Sequence, residues 1–130
     1  MSARDVIARY GAAMETGDLA ALRAVLDERV VWHQPGANQL AGDHVGPDAV
    51  LAHLGRFMEL SGGTFALRTE SVADAGALVA TTVRFTARRP GATDLDQHGV
   101  DVFRVDGDRI AEVWLVSEDQ AAEDRFWGAA

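Results

Sequence analysis

A chain of 130 residues, 48% hydrophobic and 25% charged, has the length of one domain, and such a chain buries roughly two-thirds of its unfolded surface on folding. A formal net charge of −8, with arginine as every one of the twelve cations, argues against a nucleic-acid binder and excludes Schiff-base chemistry through lysine. The lack of cysteine removes disulfides, thiol nucleophiles and thiolate metal sites; with no apolar run near 18 residues and no signal-peptide block at the N-terminus, the expectation is a soluble cytoplasmic protein without a membrane partner.

Asp5 to Val25 predicts two helices joined by a tight turn: Val6, Ile7, Tyr10, Ala13 and Met14 recur at helical spacing, and Thr16-Gly17-Asp18 supplies a stop and an N-cap. Tyr10 lies on the apolar stripe, so its ring is expected to be buried and its hydroxyl to need a partner. Arg29 to Gln34 is a β-branched run ending at Pro35-Gly36, a strand that enters a glycine-rich loop lasting to Gly46. Gly46-Pro47-Asp48 then opens a helix with Val50, Leu51, Leu54, Phe57 and Met58 on its apolar face, His53 at the edge of that face, and Ser61-Gly62-Gly63 as its end.

After Gly63 the period changes to two, which predicts strands over Thr64–Ala73, Leu78–Arg89, Leu95–Asp106 and Arg109–Ser117, with short turns that make neighbours antiparallel. Arg84, Arg88 and Arg89 read as the solvated face of the second of these strands. In the third, Leu95, Gln97, Gly99, Asp101, Phe103 and Val105 share one face, so an ionisable Asp101 stands beside Phe103 on the apolar side. Burial without a cationic partner would raise its pKa; a backbone donor or an arginine would instead satisfy it as a structural group. The tail, SEDQAAEDRFWGAA, predicts a short capped helix that delivers Phe126 and Trp127 to cover an apolar surface. Helices first and strands afterwards give an α+β class, a single domain over 1–130, in which a curved and mostly antiparallel sheet wraps the N-terminal helices around an internal apolar pocket.

The opening ARYGAAMETGDLAAL, the segment VVWHQPGANQLAGDHVGPDAV and the strand VDVFRVDGDRIAEVW together resemble the nuclear-transport-factor-like superfamily in its ketosteroid-isomerase and SnoaL-like branch, over nearly the whole chain. The resemblance puts Tyr10 on the oxyanion-hole tyrosine of the isomerases and Asp101 on their protonated oxyanion-hole aspartic acid, a pairing that implies two donors to an enolate oxygen. The isomerases' catalytic aspartate falls on His33 counting from Asp27-Glu28 and on Gln34 counting back from Pro35, and neither is a carboxylate. His33 could move a proton and Gln34 could not, so an inward Gln34 would make steroid-type isomerisation improbable.

Two function classes follow. One is a cofactor-independent isomerase or polyketide-cyclase-type enzyme transferring a proton next to a carbonyl of a small apolar, polyketide- or steroid-like molecule. Its catalytic residues would be His33, Tyr10 and Asp101, and its substrate-binding residues Gln34, Phe57, Met58, Val83, Phe85, Phe103, Leu115 and Phe126. The other is a non-catalytic dimeric module of the same fold that binds a small apolar ligand. Tyr10, His33 and Asp101 could also form a purely structural hydrogen-bonded trio. Epoxide hydration would need an Asp-Arg-Asp cluster, and Arg84 and Arg104 alternate onto the face opposite Asp101. No cofactor is expected, and His44, His53 and His98 show no metal-ligand spacing. A homodimer through the exposed sheet face is what the family resemblance implies.

Overall fold

The computed structural model describes residues 1–129. Its elements are α1 (Ala3–Thr16), α2 (Leu19–Ala24), β1 (Leu26–Gln34), β2 (Gly42–Val45), α3 (Pro47–Leu60), β3 (Ala66–Ala75), β4 (Leu78–Ala87), β5 (Leu95–Asp106), β6 (Arg109–Ser117) and α4 (Gln120–Trp127). Local chemistry sets the helix boundaries. Ser2 and Asp5 close a reciprocal capping box on α1, and Gly17 in the left-handed region stops it. Asp18 caps α2, proline stands in the first turn of α3, and the Asp119 side chain caps α4.

One six-stranded sheet runs β2-β1-β6-β5-β4-β3, with β1 and β6 parallel and every other pair antiparallel. The predicted α+β class and the curved, mostly antiparallel sheet around the N-terminal helices are as found, and the sheet is unclosed. Register shifts between Thr69 and Ser71 and between Arg104 and Val105 add the local bends that curve the sheet. Two elements differ from expectation. Gly42–Val45, expected as loop, pairs with β1 as an edge strand, and β1 begins three residues earlier than predicted. Among the described residues no helix is long and apolar enough to cross a membrane.

The interior divides into two apolar clusters. One gathers Val6 and Ile7 of α1 with Val30, Trp32, Val50, Val79, Phe103 and Val113; the other gathers Phe57, Val83, Phe85, Leu95, Phe126 and Trp127. Between them the inward rows of the sheet and α3 carry polar residues. Along β4 the order is Val79, Thr81, Val83; along β5 it is Phe103, Asp101, Gly99; along α3 it is Val50, His53, Phe57. A polar layer inside a small core is costly unless each group finds a hydrogen-bond partner, which makes this layer the place to look for function.

Candidate functional site

Register builds the layer strand by strand. Thr81 pairs with Asp101 and Asp101 with Leu115; Gln34 follows one residue after the His33–Trp114 pair, which brings it alongside Leu115. Tyr10 comes in from α1 and lays its ring against Phe103, with centroids 5.4 Å apart at 59°. Phe103 is two residues from Asp101 on the same face, so phenol and carboxyl share one part of the interior. Both side chains keep some accessible surface although protein surrounds them.

Neither group has a hydrogen-bond partner among the described residues, and both titrate accordingly. Burial, and then the charge of Glu123, pushes Asp101 from 3.8 up to about 7. Burial, helped by Asp101, pushes Tyr10 well above its ordinary 10. At and below neutrality the pair therefore offers a phenol and a carboxyl group that still carries a proton in about half or more of the molecules, two donors able to stabilise a developing oxyanion. Gln34 stands in the same inward row, two strands from Asp101. Trp32 Nε1 donates to Gln34 Oε1 at 3.0 Å, and because an indole can only donate, this fixes which end of the amide is oxygen. His53 Nε2 lies 3.0 Å from the same oxygen and must also donate, so the Gln34 amide nitrogen is the end left free.

The structure separates the predicted site residues. His33 does not join Tyr10 and Asp101. Leu26, Val30, Trp32 and Gln34 are the buried row of β1, so strict alternation turns His33 outwards. There it stacks on Trp114, with Nδ1 2.8 Å from Asp43 and Nε2 2.6 Å from Glu112. Hydrogen bonding to Glu112 raises its pKa, burial opposes this, and hydrogen bonding to Asp43 adds to the rise. A histidine held between two carboxylates on the outer sheet face cannot be the base of an interior site, and the Tyr10–His33–Asp101 trio does not exist. The inward residue is Gln34.

Met58 is likewise displaced: it is 45% exposed, because the inward stripe of α3 runs through Val50, His53 and Phe57. Phe57, Val83, Phe85 and Phe126 are buried in the second cluster, Phe103 in the first, and Leu115 is half-buried against it. Arg84 pairs with Asp96 and Arg104 with Glu112 on the outer face, so neither reaches Asp101.

Three participants escaped sequence reasoning. His53, expected at the edge of its helix, is 1% exposed, and burial, then His44 and Arg56, lower its pKa to about 3. His44, in the unpredicted strand β2, stacks on it with ring centroids 3.8 Å apart. Two histidines without ligand spacing in sequence thus meet in space, but no three metal-ligating side chains cluster among the described residues. Glu123 on α4 is 4% exposed and accepts from Ser117 Oγ at 3.1 Å and Gln120 Nε2 at 3.0 Å. Its only signal in the sequence was its position three residues before Phe126, which puts the two on one helix face. An outer groove of about 720 Å³ lies between residues 91–97 and α4, lined by Asp94, Asp96, Glu118, Asp119 and Arg125 as well as Phe126. It does not reach Tyr10 or Asp101. Shape without unpartnered interior donors is the weaker claim to chemistry.

Residues 7–113 match the SnoaL-like domain family. An uncharacterized protein of Mycobacterium tuberculosis is 34% identical over 124 residues, 95% of this chain and 94% of the relative. A Xanthomonas campestris protein of unknown function with a cystatin-like fold is 42% identical, with a TM-score of 0.91 over 98% of this chain and 99% of that one. More distant structures share the fold alone. An NTF2-like (nuclear-transport-factor-like) protein of Burkholderia xenovorans is 22% identical, with a TM-score of 0.84 over 98% of each chain. IdmH of Streptomyces antibioticus, a proposed polyketide cyclase, is 20% identical, with a TM-score of 0.74 over 91% of this chain and 93% of that one.

Proposed function

The chain belongs to the SnoaL-like domain family, and from that premise we propose that it is a cofactor-independent enzyme of isomerase or polyketide-cyclase type that enolises a small apolar carbonyl compound. The observation that carries this reading is the pair Tyr10 and Asp101, enclosed between two apolar clusters with no hydrogen-bond partner among the described residues. Both groups keep some accessible surface and lack a protein partner, so a ligand oxygen accepting from both would supply the missing hydrogen bonds. Apolar residues on either side of the polar layer suit a polyketide-like ring system, in keeping with the name given to IdmH. The inward Gln34 weighs against steroid-type isomerisation with a base at that position, because an amide cannot take up a proton near neutrality.

The same Gln34 favours a second reading, a non-catalytic module that holds a small carbonyl-bearing ligand. In both readings the ligand is a small apolar molecule, and the protein is a homodimer through the outer sheet face, where Trp114 and Val116 are exposed. Light scattering giving the mass of a single 13.9 kDa chain would sink the dimer. The oxyanion site is tested by fluorescence titration with naphthols, whose emission reports their protonation state. The wild type should bind the naphtholate, and Tyr10→Phe and Asp101→Asn should each weaken it by about 1 to 3 kcal/mol, the range for losing a strong donor. Binding that ignores both substitutions would end the oxyanion reading.

A further inference from the structure

We propose that Glu123 is the general base of this site, a second interior carboxylate with one oxygen held in place and the other free to take a proton. This rests on the reading of Tyr10 and Asp101 as an oxyanion site and adds the group that reading lacked once His33 was found outside.

The placement is built by α4. Asp119 caps the helix, and Phe126 and Trp127 anchor it in the second apolar cluster, so the side chain one turn before Phe126 is driven inwards. Both donors that reach Glu123, Ser117 Oγ and Gln120 Nε2, bind Oε1, which leaves Oε2 without a partner among the described residues. Ser117 pairs with Gly99, and Asp101, two residues on, pairs with Leu115. Ser117, which holds Glu123, therefore stands one inward step from Asp101, roughly 7 Å along the sheet, and the charge of Glu123 is felt at Asp101. Gly99, the residue between them on that face, presents no side chain, and the edge of Phe85 lies where one would go. The two carboxyl groups thus flank an apolar floor made by Gly99 and the Phe85 ring.

The electrostatics divide the labour. Burial raises Glu123 above the ordinary carboxylate value, while hydrogen bonds from Gln120 and Ser117 hold it down. Asp101 has no such bonds, and the charge of Glu123 adds to burial in raising it, so a proton shared between the two sites is favoured on Asp101. In the proposed step a proton leaves the carbon next to the substrate carbonyl for Glu123 Oε2. The C–H electron pair moves into the enolate, whose oxygen accepts from Tyr10 and Asp101. Return of the proton from Glu123 to a conjugated carbon completes the isomerisation and restores the carboxylate.

Solvent deuterium exchange into 2-tetralone, an apolar enolisable ketone, followed by NMR alongside the naphthol titration, separates the two layers of the argument. The wild type should accelerate exchange over buffer. Glu123→Gln should lose about 100-fold or more of that acceleration while naphtholate affinity stays within about threefold. Glu123→Asp, which withdraws the carboxylate by one methylene, should keep part of the exchange at about a tenth of the rate or less. If exchange in E123Q equals wild type while Y10F and D101N lose naphtholate binding, Glu123 is not the base and the oxyanion site stands. If the wild type gives no exchange above buffer, the base is overturned, and the naphthol titration alone decides the oxyanion site. Should E123Q fail to fold, a natively folded E123D with wild-type exchange overturns the proposal equally.

Discussion

Replacing Asp101 with asparagine should stabilise the protein, and by an amount that grows with pH. The carboxyl titrates at 3.8 when unfolded and at about 7 in the fold, so between those values the folded state holds a proton that the unfolded state has released. Stability must then fall as pH rises through that window and level off above it. At about 1.36 kcal/mol per pH unit, the cost attached to Asp101 is negligible at pH 3, about 1.7 kcal/mol at pH 5 and about 4 kcal/mol at pH 8. Asparagine keeps the shape and removes the ionisation. Urea unfolding of wild type and Asp101→Asn, followed by tryptophan fluorescence from the buried Trp32 and Trp127, should show the difference between the two shifting by about 2.5 kcal/mol in favour of the variant from pH 5 to pH 8, with unchanged m-values. A pH-independent difference would mean that Asp101 titrates as an ordinary carboxylate, and the neutral-donor chemistry would fall with it.

His53 predicts the opposite slope: with its pKa lowered from 6.5 to about 3, the unfolded chain takes up a proton that the fold refuses, so stability is lost as pH falls below 6.5. From pH 7 to pH 5 the loss is about 2 kcal/mol, and the stability of His53→Gln in the same urea assay should lack it. His33→Ala should leave naphtholate affinity within about twofold of wild type and cost less than about 1 kcal/mol, since the side chain bonds only Asp43 and Glu112 on the outer face; a large affinity loss would return His33 to the site. Gly99→Ala should destabilise by about 1 to 3 kcal/mol, because its Cβ would meet the Val116 carbonyl oxygen at 2.7 Å and the Phe85 ring at 3.2 Å; a thermal melt matching wild type would contradict the packing.

How much of this was legible in sequence depended on whether local pattern had a rival. In β5 the residues Leu95, Phe103 and Val105 mark one face at both ends of twelve residues, so its bounds and the inward face of Asp101 could be read directly, and Tyr10 followed from the helical stripe it shares with Val6 and Ile7. β1 offered two apolar rows, Val30 with Trp32 and Val31 with His33, and periodicity could not choose between them. The choice was made by the tertiary fold, which buries Trp32 at the floor of the first cluster. β2, with the sequence GDHV, has little strand propensity and forms on the β1 edge, so nothing local announced it, nor the stacking of His44 on His53. Arg89 was expected in solvent but donates to the carbonyls of Phe126 and Trp127 at 2.7 Å, fastening the end of the helix that carries Glu123. Glu123 itself sat in an acidic, solvent-like helix, and only the docking of α4 turned it inwards.

The two titrations explain why the polar layer would escape a survey of the wild type alone. Between pH 7 and pH 5 the fold regains about 2 kcal/mol as the cost of Asp101 declines and loses about 2 kcal/mol as His53 resists protonation, so the net stability curve should be nearly flat there. Flatness would look like an interior without ionisable groups. The single variants break the cancellation in opposite directions, with His53→Gln gaining stability on acidification and Asp101→Asn losing it relative to wild type. A layer that held only structural polar groups would have no reason to keep a carboxyl unpartnered at such a cost, since one further donor beside Asp101 would remove most of it. That the carboxyl is left without one, beside a phenol in the same condition, is the physical ground for assigning the missing partner to a ligand.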